Sequence, residues 1–321
     1  NFNPLKSYIQ SLLDKGVPGL ELIVCQEHQI LFHACAGYSD PERVQAATPT
    51  DRYWLYSCTK PVTAAAAMRA MEQGLFDLDD PVSDYLPAYR DVYLLKEGLR
   101  QKPANTMRIR HLMTMTAGFD YNLDCESIRH IQASTGNHAS TIQIAEALAQ
   151  EPLCFEPGER FQYSLCLDVL GAVIERASGM TLRDYMKEQL FLPLDMTDTD
   201  FCTEGIPERL AAKYTYDTQN KKVLFTGYEN TFVISPTFFG GGAGLVSTAT
   251  DYSKFADALA CGGIGQNGKR ILKPESIDLM GHEQLSAFQV NGTSSCTCGS
   301  DYGYGLGVRT RIAFEHGQKS A

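Results

Sequence analysis

Ser57-Cys58-Thr59-Lys60 places a hydroxyl and an amine three residues apart, just before an alanine-rich run. Residues three apart on a helix share one face, so the Lys60 ammonium can reach back to the Ser57 hydroxyl. A serine hydroxyl is a weak nucleophile alone and needs an adjacent base. A lysine held in a partly desolvated, positive environment can lose its proton near neutral pH and act as one. The pair also stands where a helix would begin. The unpaired amides and positive dipole end of such a terminus lie where an attacked carbonyl would develop negative charge. Pro61 fits the first turn, where a missing N–H costs nothing. The chemistry indicated is acyl transfer through a covalent serine intermediate. The competing reading is a helix-capping serine followed by a solvated lysine.

These residues need a scaffold, and its elements are readable. Leu5, Ile9, Leu12 and Leu13 recur at helical spacing before Gly16. Gly19 to Gln26 and Gln29 to Ala36 read as antiparallel strands joined by a Glu27-His28 turn. Asp40 to Asp51 reads as a polar loop. Helices are expected over Thr59 to Gln73, Met107 to Thr116, Ser140 to Gln150, Leu165 to Ser178 and Thr181 to Leu190. Beyond about Asn220 the texture changes. Lys222 to Thr226 and Tyr302 to Ile312 read as strands, Thr250 to Cys261 and Pro274 to Met280 as helices, and Phe239 to Gly244 as a glycine-rich loop. Thr248 or Thr250 supplies the cap of the Thr250 helix. The expected class is α+β: an antiparallel sheet flanked by helices, plus a mostly helical lobe. The lobes divide as residues 1–56 with 221–321, and 57–220.

Several stretches resemble class C β-lactamase-like, penicillin-recognising serine hydrolases. Tyr56 to Ala65 resembles the nucleophile helix, and Gly74 to Val82 the loop after it. Ile109 to Gly118 is similar to a helix-and-turn signature that carries His in the family where this chain has Met115, read as a scaffold change. Phe155-Glu156-Pro157-Gly158 leads to a second motif at Tyr163, and Gly241 to Thr248 and Tyr302 to Val308 match further segments. The resemblance runs in the family's order over nearly the whole chain. It implies the β-lactamase/transpeptidase-like fold and a serine hydrolase with Ser57 as nucleophile. It also implies that Lys60 and Tyr163 handle protons, leaving open which is the acylation base, and that Ser164 and Leu165 contact substrate. β-Lactamases usually carry Asn at the position of Leu165, and an apolar side chain cannot donate to a substrate amide. That favours small carboxylic esters. D-Amino-acid peptides, weak β-lactam turnover and a non-catalytic ligand-binding relative are the alternatives. Asp168 is read as structural, with bracing of the site as the alternative. The resemblance further implies a third motif on a strand beside the nucleophile. His316-Gly317-Gln318 and Lys319-Ser320-Ala321 are near misses, so that strand is expected beyond Ala321.

The composition restricts the partners. The 321 residues carry a formal charge of −10, with 44% hydrophobic and 21% charged residues. This is a globular composition without the basic footprint of a nucleic-acid binder. No stretch approaches the roughly 20 apolar residues of a membrane span; Val62 to Met71 is short and carries Arg69. The expected partner is a small ester or peptide, with no cofactor and no metal, and the oligomeric state stays open. Most of the ten cysteines are read as buried free thiols of a reducing, cytoplasmic compartment, with secretion after loss of a leader as the alternative. Cys296-Thr297-Cys298 lacks partner ligands, His28 and His33 form no metal pattern, and His111 is read as structural. Asn291-Gly292-Thr293 fits a glycosylation sequon. Gly263 to Lys269 matches a phosphate-binding loop except for Arg270, where Ser or Thr is required, and is read as a turn.

Overall fold

The computed structural model describes residues 1–201, 208–285 and 302–311. Helix α1 (Asn3–Asp14) precedes the hairpin of β1 (Gly19–Gln26) and β2 (Gln29–Gly37), whose antiparallel register pairs Gly19 with Gly37 and Glu21 with Cys35. Both turn residues have positive φ, 49° at Glu27 and 68° at His28, as a tight hairpin of this twist demands. Neither is glycine, and the conformation is held from outside. Asp257 accepts from the His28 backbone N–H at 3.1 Å and sits 2.6 Å from its Nδ1.

β3 (Tyr53–Trp54) leads through a 3₁₀ turn over Tyr56–Cys58 into α2 (Thr59–Glu72). The alanines of α2 allow close approach on every side, and Val62 to Ala67 are buried. The short α3 (Val82–Tyr85), the hairpin of β4 (Leu94–Lys96) and β5 (Leu99–Gln101), and α4 (Ile109–Met113) follow. Next come α5 (Glu126–Ser134), α6 (Thr141–Leu148), α7 (Cys166–Ser178) and α8 (Leu182–Met186), which runs on as a π turn to Phe191. Helix α7 is buried along Cys166 to Glu175 and packs against α2, α4 and α6. β6 (Asp200–Phe201) and β3 flank β9 (Leu245–Ser247) in a three-stranded antiparallel sheet, while β7 (Lys213–Asp217) pairs with β8 (Lys222–Gly227). Helices α9 (Ala249–Ala260) and α10 (Pro274–Gly281) precede the hairpin of β10 (Tyr302–Tyr304) and β11 (Arg309–Arg311).

Three expectations are corrected. The helix expected over Met107 to Thr116 is the shorter α4, because Met115 takes φ 57° and lies fully buried. The single strand expected over Tyr302 to Ile312 is two, folded back where the Gly305 N–H reaches the Val308 carbonyl at 2.8 Å. Among the described residues Cys25, Cys35, Cys58, Cys125, Cys154, Cys166 and Cys261 are free, but only Cys125 and Cys166 are buried. Thr248 caps α9 through the Asp251 N–H at 3.1 Å. The Gly263 to Lys269 segment is a turn: the Gly265 amide is spent on the Lys269 carbonyl at 2.9 Å and the Gly268 amide on the Gly265 carbonyl at 2.8 Å. Cys202, Asn291, Cys296, Cys298, His316 and Lys319 lie outside the described residues. No described helix is long and apolar enough to cross a membrane.

Candidate active site

Two neighbouring strands fix Ser57. Tyr53 pairs with Ser247 and Trp54 with Val246, and the Leu55 N–H bonds the Leu245 carbonyl at 2.9 Å. The Thr59 hydroxyl accepts from the Leu245 N–H at 3.2 Å, which ties the start of α2 to β9. Tyr56 is held at φ 45°, and its ring meets Phe232 edge-on at 5.9 Å. A non-glycine residue in this region signals local strain, and here it stands directly before the candidate nucleophile. Ser57 itself is exposed.

Lys60, one turn on, is 2% exposed. Its ammonium donates to the Ser57 Oγ at 3.4 Å, the Tyr121 hydroxyl at 3.4 Å and the Gly242 carbonyl at 2.9 Å. All three donors of the amine are therefore engaged. Burial alone pulls the Lys60 pKa down and is the largest single effect. The Asp168 carboxylate and the Tyr121 and Tyr163 phenols together outweigh it and hold the pKa above its ordinary 10.5. The positive surroundings expected from the sequence are thus replaced by acidic ones, and Lys60 is a cation at neutral pH.

Tyr163 completes the set, its hydroxyl 2.8 Å from the Ser57 Oγ. Its segment lies along residues 115–120: the Gly158 N–H bonds the Thr116 carbonyl at 2.8 Å, and the Gln162 N–H the Met115 carbonyl at 2.9 Å. Gly118 permits this approach, since it has φ 94° and a Cβ there would lie 2.5 Å from the Phe155 carbonyl oxygen. The same pairing stacks Tyr163 on Tyr121, with centroids 5.6 Å apart and planes 8° from parallel. The Lys60 ammonium stands 4.7 Å from the Tyr163 ring and 5.3 Å from the Tyr121 ring, within cation–π range.

Asp168 is buried at 6% exposure and accepts from the Gly242 N–H at 3.0 Å. Burial raises its pKa, with Lys60 opposing. Gly242 thus links the two, its N–H held by Asp168 and its carbonyl holding the Lys60 ammonium from behind. Gly242 has to be glycine, because a Cβ would sit 2.5 Å from the Asp168 Oδ2. The Gly241 carbonyl is held in turn by the Thr63 hydroxyl at 2.7 Å.

The structure therefore gathers Ser57, Lys60 and Tyr163 and adds Tyr121, which the sequence reading did not single out. No local pattern marks Tyr121; only its stack on Tyr163 in the folded chain reveals it. Ser164 and Leu165 do not join them. Ser164 is fully buried, its hydroxyl 3.2 Å from the Cys166 Sγ and 3.9 Å from the Met115 Sδ. Leu165 is 2% exposed and lines a cavity of about 180 Å³ with Phe119, Leu148 and Pro152. A more open cavity of about 640 Å³, lined by Tyr93, Arg100 and His130 among others, contains none of the four site residues. Among the described residues two His/Cys/acid triads, Glu21–His33–Cys35 and His28–Asp257–Cys261, stand on the β1–β2 hairpin side.

Fold and residues define a serine hydrolase of β-lactamase/transpeptidase-like architecture. Comparison with known proteins agrees. Protein Rv1367c of Mycobacterium tuberculosis is 32% identical over 298 residues, covering 89% of this chain and 73% of that protein. Esterase EstB of Burkholderia gladioli is 32% identical over 272 residues, covering 78% and 67%. Among solved structures, EstCE1, described as a hydrolase with promiscuous acyltransferase activity, superposes with TM-score 0.77 at 28% identity, covering 96% of this chain and 82% of that one. The family model described as Beta-lactamase matches residues 5–317, and the chain belongs to that family.

Proposed function

We propose that the protein hydrolyses small carboxylic esters through an acyl-enzyme on Ser57, with Tyr163 as the proton acceptor and Lys60 as the fixed cation beside it. The observation that carries this is the 2.8 Å contact between the Tyr163 and Ser57 hydroxyls, made while the Lys60 ammonium, 3.4 Å from the same Oγ, is also engaged with Tyr121 and the Gly242 carbonyl. The Lys60 ammonium, 4.7 Å from the Tyr163 ring, faces the negative charge that forms as the proton moves. Tyr163 takes the Ser57 proton as Oγ attacks the ester carbonyl. It then returns that proton to the departing alkoxide. Water attacks the acyl-enzyme by the same route reversed, and the free acid leaves. The Ser57 amide, at the start of the helix, is one donor to the oxyanion.

Leu165, buried away from Ser57, supplies no donor to a substrate amide, which favours an ester over an amide-bearing β-lactam. Esterase names among the relatives support the same substrate class. The lobes we propose are residues 57–220 and, together, 1–56 and 221–321. Helices α2 to α8 fall within the former, between residues 59 and 186. The test compares kcat/KM for p-nitrophenyl acetate and butyrate with that for a chromogenic cephalosporin and a D-alanyl-D-alanine amide. Ester turnover exceeding both others by 100-fold or more is expected. Comparable cephalosporin turnover would refute the ester assignment, and comparable amide turnover would replace it with a peptidase.

A further inference from the structure

On the face of the β1–β2 hairpin away from Phe32, three potential metal ligands converge. Glu21 lies opposite Cys35 in the strand register, and His33 is two residues before Cys35 on the same face. The His33 Nε2 is 2.7 Å from the Glu21 Oε1 and 3.9 Å from the Cys35 Sγ. One ligand atom from each residue falls within 4.8 Å of the other two.

A Glu–His ion pair does not account for this arrangement. The Glu21 side chain is 1% exposed, yet its Oε2 is buried with no hydrogen-bond partner among the described residues. A buried carboxylate oxygen without a donor is costly and needs an explanation. Burial, with Asp51 nearby, raises the Glu21 pKa, while His33 opposes. Burial first, then the Glu21 and Asp51 charges, push the Cys35 thiol up to about 11. The unpartnered Oε2 and the convergence of three ligand atoms have one explanation in common, a cation placed among them.

We propose that Glu21, His33 and Cys35 bind a divalent transition-metal ion of the zinc class, with solvent as the fourth ligand. The donor set of one thiolate, one imidazole and one carboxylate suits zinc and cobalt and excludes magnesium and calcium, which require oxygen ligands. Ideal tetrahedral zinc geometry places N and S about 3.6 Å apart and N and O about 3.4 Å apart. The Cys35–His33 spacing already approaches this. The Glu21 carboxylate has to swing away from His33 by under ~1 Å, and its unpaired Oε2 gives it a second oxygen with which to do so. The His33 side chain is 26% exposed, so solvent reaches the edge of the cluster. Ladder hydrogen bonds on both strands fix the ligand spacing before the ion arrives. Binding displaces the thiol proton of Cys35 to solvent.

The test uses the full chain, reduced and stripped of metal, titrated with Co²⁺ and then Zn²⁺. Cobalt should give thiolate-to-metal absorption in the near ultraviolet that saturates at one equivalent. Zinc should abolish it and raise Tm by a few degrees. Cys35→Ser should lose the absorption, and His33→Gln and Glu21→Gln should weaken zinc binding by at least about 10–100-fold. A Cys296→Ser/Cys298→Ser variant and His28→Ala should bind as the wild type does. Variants count only if their metal-free Tm matches that of the metal-free wild type, and the conservative His33 and Glu21 changes serve should Cys35→Ser fail to fold. Absorption retained in Cys35→Ser, binding lost in His28→Ala or the double serine variant instead, or no stoichiometric binding would each overturn the proposal.

Discussion

Replacing Tyr163 by Phe removes one oxygen and little else. The ring keeps its stack on Tyr121, 5.6 Å away, and the Lys60 ammonium still faces it. What disappears is the hydroxyl 2.8 Å from the Ser57 Oγ. If that phenol carries the nucleophile's proton, its loss removes a general base worth about 10²–10⁴ in rate, or roughly 3–5 kcal/mol of transition-state stabilisation at 1.36 kcal/mol per decade. The folded state loses one exposed hydrogen bond, about 1 kcal/mol at most. The assay is kcat/KM on p-nitrophenyl butyrate, read beside the thermal midpoint. The expected result is a fall of at least 100-fold in kcat/KM with Tm within a few degrees of wild type. Activity within tenfold of wild type in a properly folded Tyr163→Phe would remove Tyr163 as the base, and the proton would then have to go to Lys60 despite its raised pKa.

Gly242→Ala should be more damaging than its single methyl suggests, because the Cβ would meet the Asp168 carboxylate at 2.5 Å and displace the carbonyl that holds Lys60; steady-state kinetics should show kcat falling more than KM changes. His111 should make the fold acid-sensitive. Burial, the largest cause, with Arg110 and Arg108 beside it, lowers its pKa from 6.5 to about 4, and its Nδ1 accepts the Arg108 N–H at 3.1 Å. The unfolded chain takes up this proton first, so the contribution is complete above pH 6.5 and is lost as pH falls towards 4, up to about 3 kcal/mol; urea midpoints at pH 7, 5 and 4 should trace that slope, and His111→Gln should flatten it. Cys58 is exposed beside Ser57, so a bulky maleimide on it should block ester turnover, whereas Cys58→Ser should stay active and resist the reagent.

The parts of the site legible in the sequence were those written locally. Ser57 and Lys60 are one helical turn apart at a helix start, and the hairpin of β1 and β2 showed in its alternation and turn. Helix α4 was overread because the apolar pattern continues through Met115, whose backbone leaves the helical region. Helix α5, in which only Ser127 and Ile128 are buried, was not read as a helix. Tyr121 and the bracing role of Asp168 depend on partners distant in the chain, Tyr163 in one case and Gly242 in the other, so no spacing encodes them. The surroundings of Lys60 were misjudged for the same reason: the charges that raise its pKa arrive from α7 and from the loops bearing Tyr121 and Tyr163. His33 looked isolated because strand register, not sequence distance, sets Glu21 opposite Cys35.

The most direct test of an activated Ser57 is intact-mass analysis with peptide mapping after exposure to a fluorophosphonate. The account predicts one adduct per chain, on Ser57 in wild type and absent from Ser57→Ala. A folded wild-type chain that stays unmodified, or an adduct that persists in Ser57→Ala, would contradict it.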